Sequence, residues 1–168
     1  MIAIVDYDPG WPARFEAERA TLLLAVGGAL ADLAHVGSTA VPGLAAKPVI
    51  DMLAGVASLA DAERCIVPLA ALGYAYVPAY EALQPERRYF RKPGFHLHMV
   101  ALGGPFWDRH LLFRDYLRSH PKQALHYQQL KRVLAARCGD DRAAYTRGKG
   151  GFVQVIEALA RAERDGTP

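Results

Sequence analysis

Cysteine is scarce in this chain. Two occur among 168 residues, Cys65 and Cys138, far apart and with no Cys-x-x-Cys pair. That excludes a disulfide framework of the small secreted kind and a thiolate metal site, and it fits reduced thiols in a cytoplasm. Long apolar runs are missing too. The most apolar window, residues 21–31, is shorter than a membrane span. The start, MIAIVDYDPGWP, has neither the basic residues nor the apolar stretch of a signal peptide. Charge of one sign is also lacking: 20 Lys and Arg against 17 Asp and Glu leave a net charge of +3, with no like-charge run. That balance suits an anionic small molecule and gives no footing for nucleic acid. With no repeat, low-complexity segment or linker, the chain reads as a single domain over residues 1–168.

Apolar residues make up 52% of the chain, many of them alanine, which suits a core of close-packed helices. Turn chemistry in Asp8-Pro-Gly-Trp-Pro12 leads into a helix predicted over 13–30, with Phe15, Leu22, Leu23 and Val26 facing the core. Residues 2–5 read as a short edge strand or an extended arm. Strands are predicted over 33–36, 48–53, 74–77 and 88–91. A clearer one covers 95–101, where His96, His98 and Val100 alternate with Leu97, Met99 and Ala101. A helix over 58–72 starts at a Ser58 cap and stops at Gly73, with Pro68 predicting a kink or an early end. After Gly103-Gly104-Pro105 only helices follow: 107–118, 121–137 and 140–164. The last is interrupted near Gly148-Lys-Gly-Gly151, as two helices or a bent one. Strands cluster early and helices late, so the fold class is α+β with a helical C-terminal part.

The densest chemistry lies in HVGSTAVPGLAAKPVIDML, residues 35–53. Its glycines and Lys47 suggest a nucleotide-binding P-loop, but the spacing excludes one: five residues separate Gly37 from Gly43, and Leu44 stands where lysine is required. The dinucleotide fingerprint Gly-x-Gly-x-x-Gly is absent there as well. A different phosphate logic fits. Gly37-Ser38 ends a strand, where backbone N–H groups and the Ser38 hydroxyl can meet phosphate oxygens. Asp51, on the neighbouring strand, would hold a divalent cation bridging them. Spacing alone leaves equally open a plain turn in which Ser38 and Thr39 cap a helix.

These residues resemble the signature of the GrpB-like family, which looks like a divergent branch of the DNA-polymerase-β-type nucleotidyltransferase superfamily. The resemblance continues through Val5-Asp-Tyr-Asp-Pro-Gly-Trp11, His96-Leu-His98, Phe113-Arg-Asp-Tyr-Leu-Arg-Ser-His-Pro121 and Tyr145 to Phe152, nearly the whole chain. It implies a small mixed β-sheet packed by helices, with a Gly-Ser turn on a nucleoside triphosphate, matched by Gly37 and Ser38. It also implies metal-holding carboxylates, of which Asp51 matches one and is the catalytic candidate. The chain departs from the pattern at Leu53, the second carboxylate position, and at His96 and His98, where a third acidic residue is expected. Imidazole ligands favour zinc, manganese or iron over magnesium. The cofactor implied by the resemblance is a divalent metal, magnesium, manganese or zinc.

His96 and His98 are two apart on a strand and share a face. His35 has the parity of Gly37, so the candidate metal ligands are Asp51, His96, His98 and His35. Histidines on strands are also commonly hydrogen-bonded core residues. His110, His120 and His126 read as surface or capping residues. One of Arg87 and Arg88 can enter the pocket, and Arg88 is taken as the contact to phosphate or carboxylate; a solvated edge strand is the alternative. Tyr145-Thr-Arg-Gly-Lys149 resembles the family's C-terminal motif and puts Tyr145 and Lys149 among the ligand contacts. Lys47 reads as surface, turned away by Pro48. Leu112, Phe113 and Tyr116, and Tyr127, Leu130 and Leu134, read as core stripes.

The expected function is a nucleotidyltransferase-like enzyme that binds a nucleotide or other anionic small molecule, with a nucleoside triphosphate as substrate. Two alternatives stand beside it. One is a binding module that kept the fold and lost the chemistry, favoured by Leu53; the other is a His/Asp metal-dependent hydrolase or ligase. Substrate, acceptor and oligomeric state are not legible.

Overall fold

A computed structural model describes residues 1–166. Helix α1 (Trp11–Val26) starts with Pro12 in its first turn and buries Trp11, Phe15, Leu22 and Val26 along one side. Leu23, expected in that stripe, is turned outward. Five strands follow: β1 (Asp32–Val36), β2 (Ile50–Val56), β3 (Ala75–Tyr76), β4 (Arg87–Lys92) and β5 (Phe95–Ala101). They form one sheet in the order β1-β2-β5-β4-β3. Only the central pair, β2 and β5, is parallel. The sheet is therefore mixed, as expected. Outside the sheet, the N-terminal arm pairs with the β1–β2 connection through a bridge, Val5 to Ala46.

The segment predicted as one helix over 58–72 is two, α2 (Leu59–Arg64) and α3 (Ile66–Ala71), broken at Cys65. Pro68 explains the break. It has no N–H to give to the carbonyl of Arg64, and its ring crowds that carbonyl. Ser58 caps α2 as predicted, accepting from the Asp61 amide.

Three long helices close the chain: α4 (Pro105–Ser119), α5 (Pro121–Cys138) and α6 (Arg142–Arg164). The last is continuous through Gly148-Lys-Gly-Gly151, so the predicted interruption is absent. A Cβ at Gly148 would lie 2.6 Å from Leu134 Cδ2, so the missing side chain lets α6 approach α5.

Period-two alternation divides the sheet into two faces. Ile50, Met52, Ala54 and Val56 of β2 join Leu97 and Met99 of β5 against α1 and α3. The opposite face carries Val36, Leu53 and Val100, packed by Phe106 and Trp107 of α4. Val41 and Leu44, in the β1–β2 connection, pack with Leu117, Tyr127 and Ile156 of the three C-terminal helices. Among the described residues no helix is long and apolar enough to cross a membrane.

Candidate functional site

Asp51 belongs to the face covered by α4 to α6. In the parallel register Asp51 pairs with His96 and Leu53 with His98. His96 Nδ1 lies 3.0 Å from Asp51 Oδ1, and His98 Nε2 lies 3.9 Å from the same oxygen. Strand β4 adds Arg87, whose Nη1 is 3.1 Å from His98 Nδ1. The chain of contacts runs Arg87, His98, Asp51, His96.

These contacts fix where the ring protons are. A guanidinium only donates, so His98 Nδ1 accepts and the ring proton sits on Nε2, aimed at Asp51. An ionised carboxylate only accepts, so His96 donates through Nδ1–H, and in the neutral ring the free lone pair is on Nε2. Burial pushes the Asp51 carboxyl upward, but its interactions with His96 and His98 outweigh that and hold its pKa well below the usual carboxylate range. Burial dominates at His98 and lowers its pKa, against the pull of Asp51.

The turn beside this cluster depends on glycine. Gly37 adopts φ 71° and ψ −169°, a conformation nearly confined to glycine. A Cβ there would stand 2.6 Å from Asp51 Oδ2. The backbone thus passes directly against the carboxylate. Residues Ser38–Ala40 make a single 3-10 turn, and no side chain caps it. Ser38 stands beside the Tyr127 phenol instead, and the Thr39 hydroxyl is 2.9 Å from His35 Nε2.

Gly37, Ser38, Asp51, His96 and His98 line a cavity of about 420 Å³, closed on its other side by the C-terminal helices. Tyr145 and Lys149 of α6 also line it. So does Lys47, which corrects its reading as a surface residue. Its ammonium is 4.1 Å from the centre of the Tyr145 ring, and that of Lys149 is 4.6 Å from the same ring. Lys131 of α5, only 2% exposed, lines the cavity and donates to the Ala45 carbonyl. Burial lowers the pKa of all three lysines, and neighbouring cations add to it: Arg142 at Lys47, Lys47 at Lys149, and Lys149 with Arg132 at Lys131, which is taken to about 7. Among the described residues, the charges acting on them are one another's, those of Arg132 and Arg142, and the Asp51 carboxylate already engaged by the histidines.

Two more lining residues were not expected. His110 stacks on Phe106 with ring centres 4.1 Å apart and donates Nδ1–H to the Phe106 carbonyl at 2.8 Å. Burial drives its pKa down to about 4. Arg109 lies 3.6 Å from Glu157 of α6. A signal for Lys131 and His110 was present: each is a polar residue inside an apolar helical stripe, Tyr127-Leu130-Leu134 and Phe106-Phe113-Leu117.

Two expected site residues lie elsewhere. On β1, Leu33 and His35 face α1, while Ala34 and Val36 face α4 on the side of the cavity. His35 stacks on Phe15 at 4.9 Å, and burial takes its pKa to about 4. Its shared parity with Gly37 does not help, because the chain leaves the strand at Gly37. Arg88 points to the face of α2 and pairs with Glu63 at 2.9 Å and Glu81 at 3.5 Å. Arg87, one residue earlier, reaches the cluster in its place.

A metal held by Asp51, His96, His98 and His35 does not fit this arrangement. His35 is on the other face, and His98 offers Asp51 an N–H instead of a lone pair. Asp51 Oδ1 already accepts from His96. Leu53, at the position of a second carboxylate, is fully buried against Val100, Phe106 and Trp107. Among the described residues no three His, Cys, Asp or Glu side chains are grouped to hold an ion.

A mixed sheet with a Gly-Ser turn set against a strand aspartate, under three C-terminal helices, defines the class of α+β protein to which this chain belongs. The family model described as GrpB protein matches residues 1–159. The UPF0157 protein YqkA of Bacillus subtilis is 38% identical over 98% of this chain and 49% of its own length. A UPF0157 protein of Pseudomonas aeruginosa is 41% identical over 96% of this chain and 68% of its own. The crystal structure of conserved protein GrpB from Enterococcus faecalis superposes with a TM-score of 0.88 at 34% identity, covering 96% of this chain and 99% of that one. The chain belongs to the GrpB family. It spans about half the length of the Bacillus relative.

Proposed function

We propose that the cavity binds a phosphorylated small molecule, a nucleotide being the leading candidate, and that the protein acts on it in the manner of a nucleotidyltransferase. The observation that carries this reading is the wall formed by Lys47, Lys131 and Lys149. One buried and two half-buried ammonium groups line the same cavity as a carboxylate already engaged by His96, and burial opposes the charge of all three. A multiply charged anion relieves that penalty and replaces the water lost on burial. The Ser38 hydroxyl at the Gly-Ser turn adds a neutral donor on the same cavity.

Calorimetric titration of the full chain with ATP, pyrophosphate and inorganic phosphate tests this. Binding that weakens about tenfold or more in Lys149→Ala and in Lys47→Ala is expected, as losing a charged hydrogen bond costs about 1.5–3 kcal/mol. No binding of any of the three anions would sink the reading. A second reading, a ligand-binding module without turnover, is favoured by Leu53, whose burial removes a carboxylate position. Binding of ATP with no change in its phosphorus NMR spectrum over hours would select it.

A further inference from the structure

We propose that His96 is a covalent nucleophile, its Nε2 accepting a phosphoryl group from a phosphorylated ligand seated against the lysine wall. The proposal rests on the phosphate-binding reading of the cavity. Its geometry stands on three observations.

First, the nucleophilic atom is free and placed. His96 lines the cavity with a side chain 37% exposed, and its other nitrogen, Nδ1, is occupied by Asp51 at 3.0 Å. Second, a carboxylate behind Nδ1–H does what an N-phosphorylated imidazole needs. It fixes the tautomer that leaves Nε2 bare, and its negative charge offsets the positive charge the ring acquires when Nε2 forms its fourth bond. Third, the carboxylate has a polar neighbour behind it. His98 Nε2 lies 3.9 Å from the same Asp51 oxygen, and the Arg87 guanidinium at His98 Nδ1 sets the tautomer that turns Nε2–H toward it. Arg87 and His98 are thus positioning residues.

The step balances simply. The Nε2 lone pair attacks phosphorus, and the N–P bond forms. The bond from phosphorus to the bridging oxygen of a phosphoric anhydride breaks, that oxygen leaving with the electron pair. The ring keeps its proton on Nδ1, shared with Asp51, and becomes a phosphorylated imidazolium. Attack on phosphorus by a water or an acceptor hydroxyl, whose proton passes to solvent, breaks the N–P bond and returns neutral His96. The three lysines line the same cavity as His96, and a cation there would meet the charge of the transferring group.

His110 is the internal comparison. It too lines the cavity with Nε2 unengaged by its Nδ1 bond, but that bond goes to the neutral Phe106 carbonyl and not to a carboxylate.

The experiment treats the full chain with potassium phosphoramidate, a small phosphoryl donor that loses ammonia and requires no nucleotide recognition. Peptide mass spectrometry under alkaline conditions then locates the added phosphoryl group. One acid-labile, base-stable group on His96 is expected, absent in His96→Asn. Labelling of Asp51→Asn should slow on the order of 100-fold, since losing a tautomer-fixing carboxylate has effects of that size or larger. Nitrogen NMR of the unlabelled wild type supplies a second measurement that needs no variant: His96 should carry its proton on Nδ1 and His98 on Nε2. Phosphorylation of His110, His120 or His126 as fast as His96, no phosphorylation of His96, or a His96 proton found on Nε2 would each overturn the proposal. Pyrophosphate is expected to protect His96. Labelling of His96 that pyrophosphate leaves untouched would keep the nucleophile and remove the lysine wall as a phosphate site.

Discussion

Gly37 shows most plainly what one residue does for this site. Its positive φ and the 2.6 Å approach of a Cβ to Asp51 Oδ2 make two separate demands, and glycine alone meets both. Gly37→Ala is expected to cost about 1–3 kcal/mol in urea unfolding and to break the Asp51–His96 hydrogen bond, visible as a changed His96 nitrogen shift. His35 carries a prediction about pH. It titrates near 6.5 when unfolded and near 4 in the fold, because burial opposes its charge. Between these values the unfolded chain holds the additional proton, so stability falls as pH drops from 6.5 to 4 and levels off below that, by up to about 3 kcal/mol. His110 shifts in the same direction and window. His35→Gln keeps a donor for Thr39, and urea unfolding at a series of pH values should show the acid slope roughly halved. A slope equal to the wild type's would count against burial of an uncharged His35. At this scale the sequence was legible for Gly37, Ser38, Asp51, His96 and His98, where residue type and spacing coincide with a turn and two strands. It was not legible for Arg87 against Arg88, because alternation says that the two point apart and leaves open which face holds the cavity.

Among the elements, α6 departs most from its sequence. Glycines at 148, 150 and 151 lower helix propensity. The helix nonetheless continues, because packing of Tyr145, Ile156 and Ala160 outweighs a propensity cost of about 1 kcal/mol per glycine. Gly148 faces the flexible end of Leu134. Gly148→Ala is therefore expected to be close to neutral, the gain in propensity offset by a shift of Leu134. Gly148→Leu should lose about 1–3 kcal/mol in thermal unfolding through overpacking of α5 against α6. An equal stability for both variants would show that the two helices are not closely packed there. Pro68 is the reverse case. Its effect was readable, although the break falls at Cys65, three residues earlier and next to Arg64, whose carbonyl the proline cannot serve.

For the whole molecule, the site is a meeting of a sheet end with three helices that follow it in the chain. Lys47 comes from the β1–β2 connection, Lys131 from α5 and Lys149 from α6, and none is near another in sequence. Lys131 lies near pH 7 because burial and its cationic neighbours oppose its charge. A bound polyanion should raise that pKa. Binding of pyrophosphate between about pH 7 and 9 is then expected to take up protons. Calorimetry in two buffers of different ionisation enthalpy would measure the uptake, and an identical heat in both would argue against anion contact with Lys131. What the sequence determined by itself was local: period two along β2 and β5, the glycine turn, the helix starts and stops, and the family signature. Each depends on spacing within a few residues, and backbone geometry converts that spacing directly into direction. The tertiary structure alone decided which face of the sheet the helices would cover. That choice set Arg87 with His98 and sent His35 and Arg88 to the other side. It also gathered three distant lysines around one cavity, since burial and repulsion between charges depend on distance in space and leave no periodic trace along the chain.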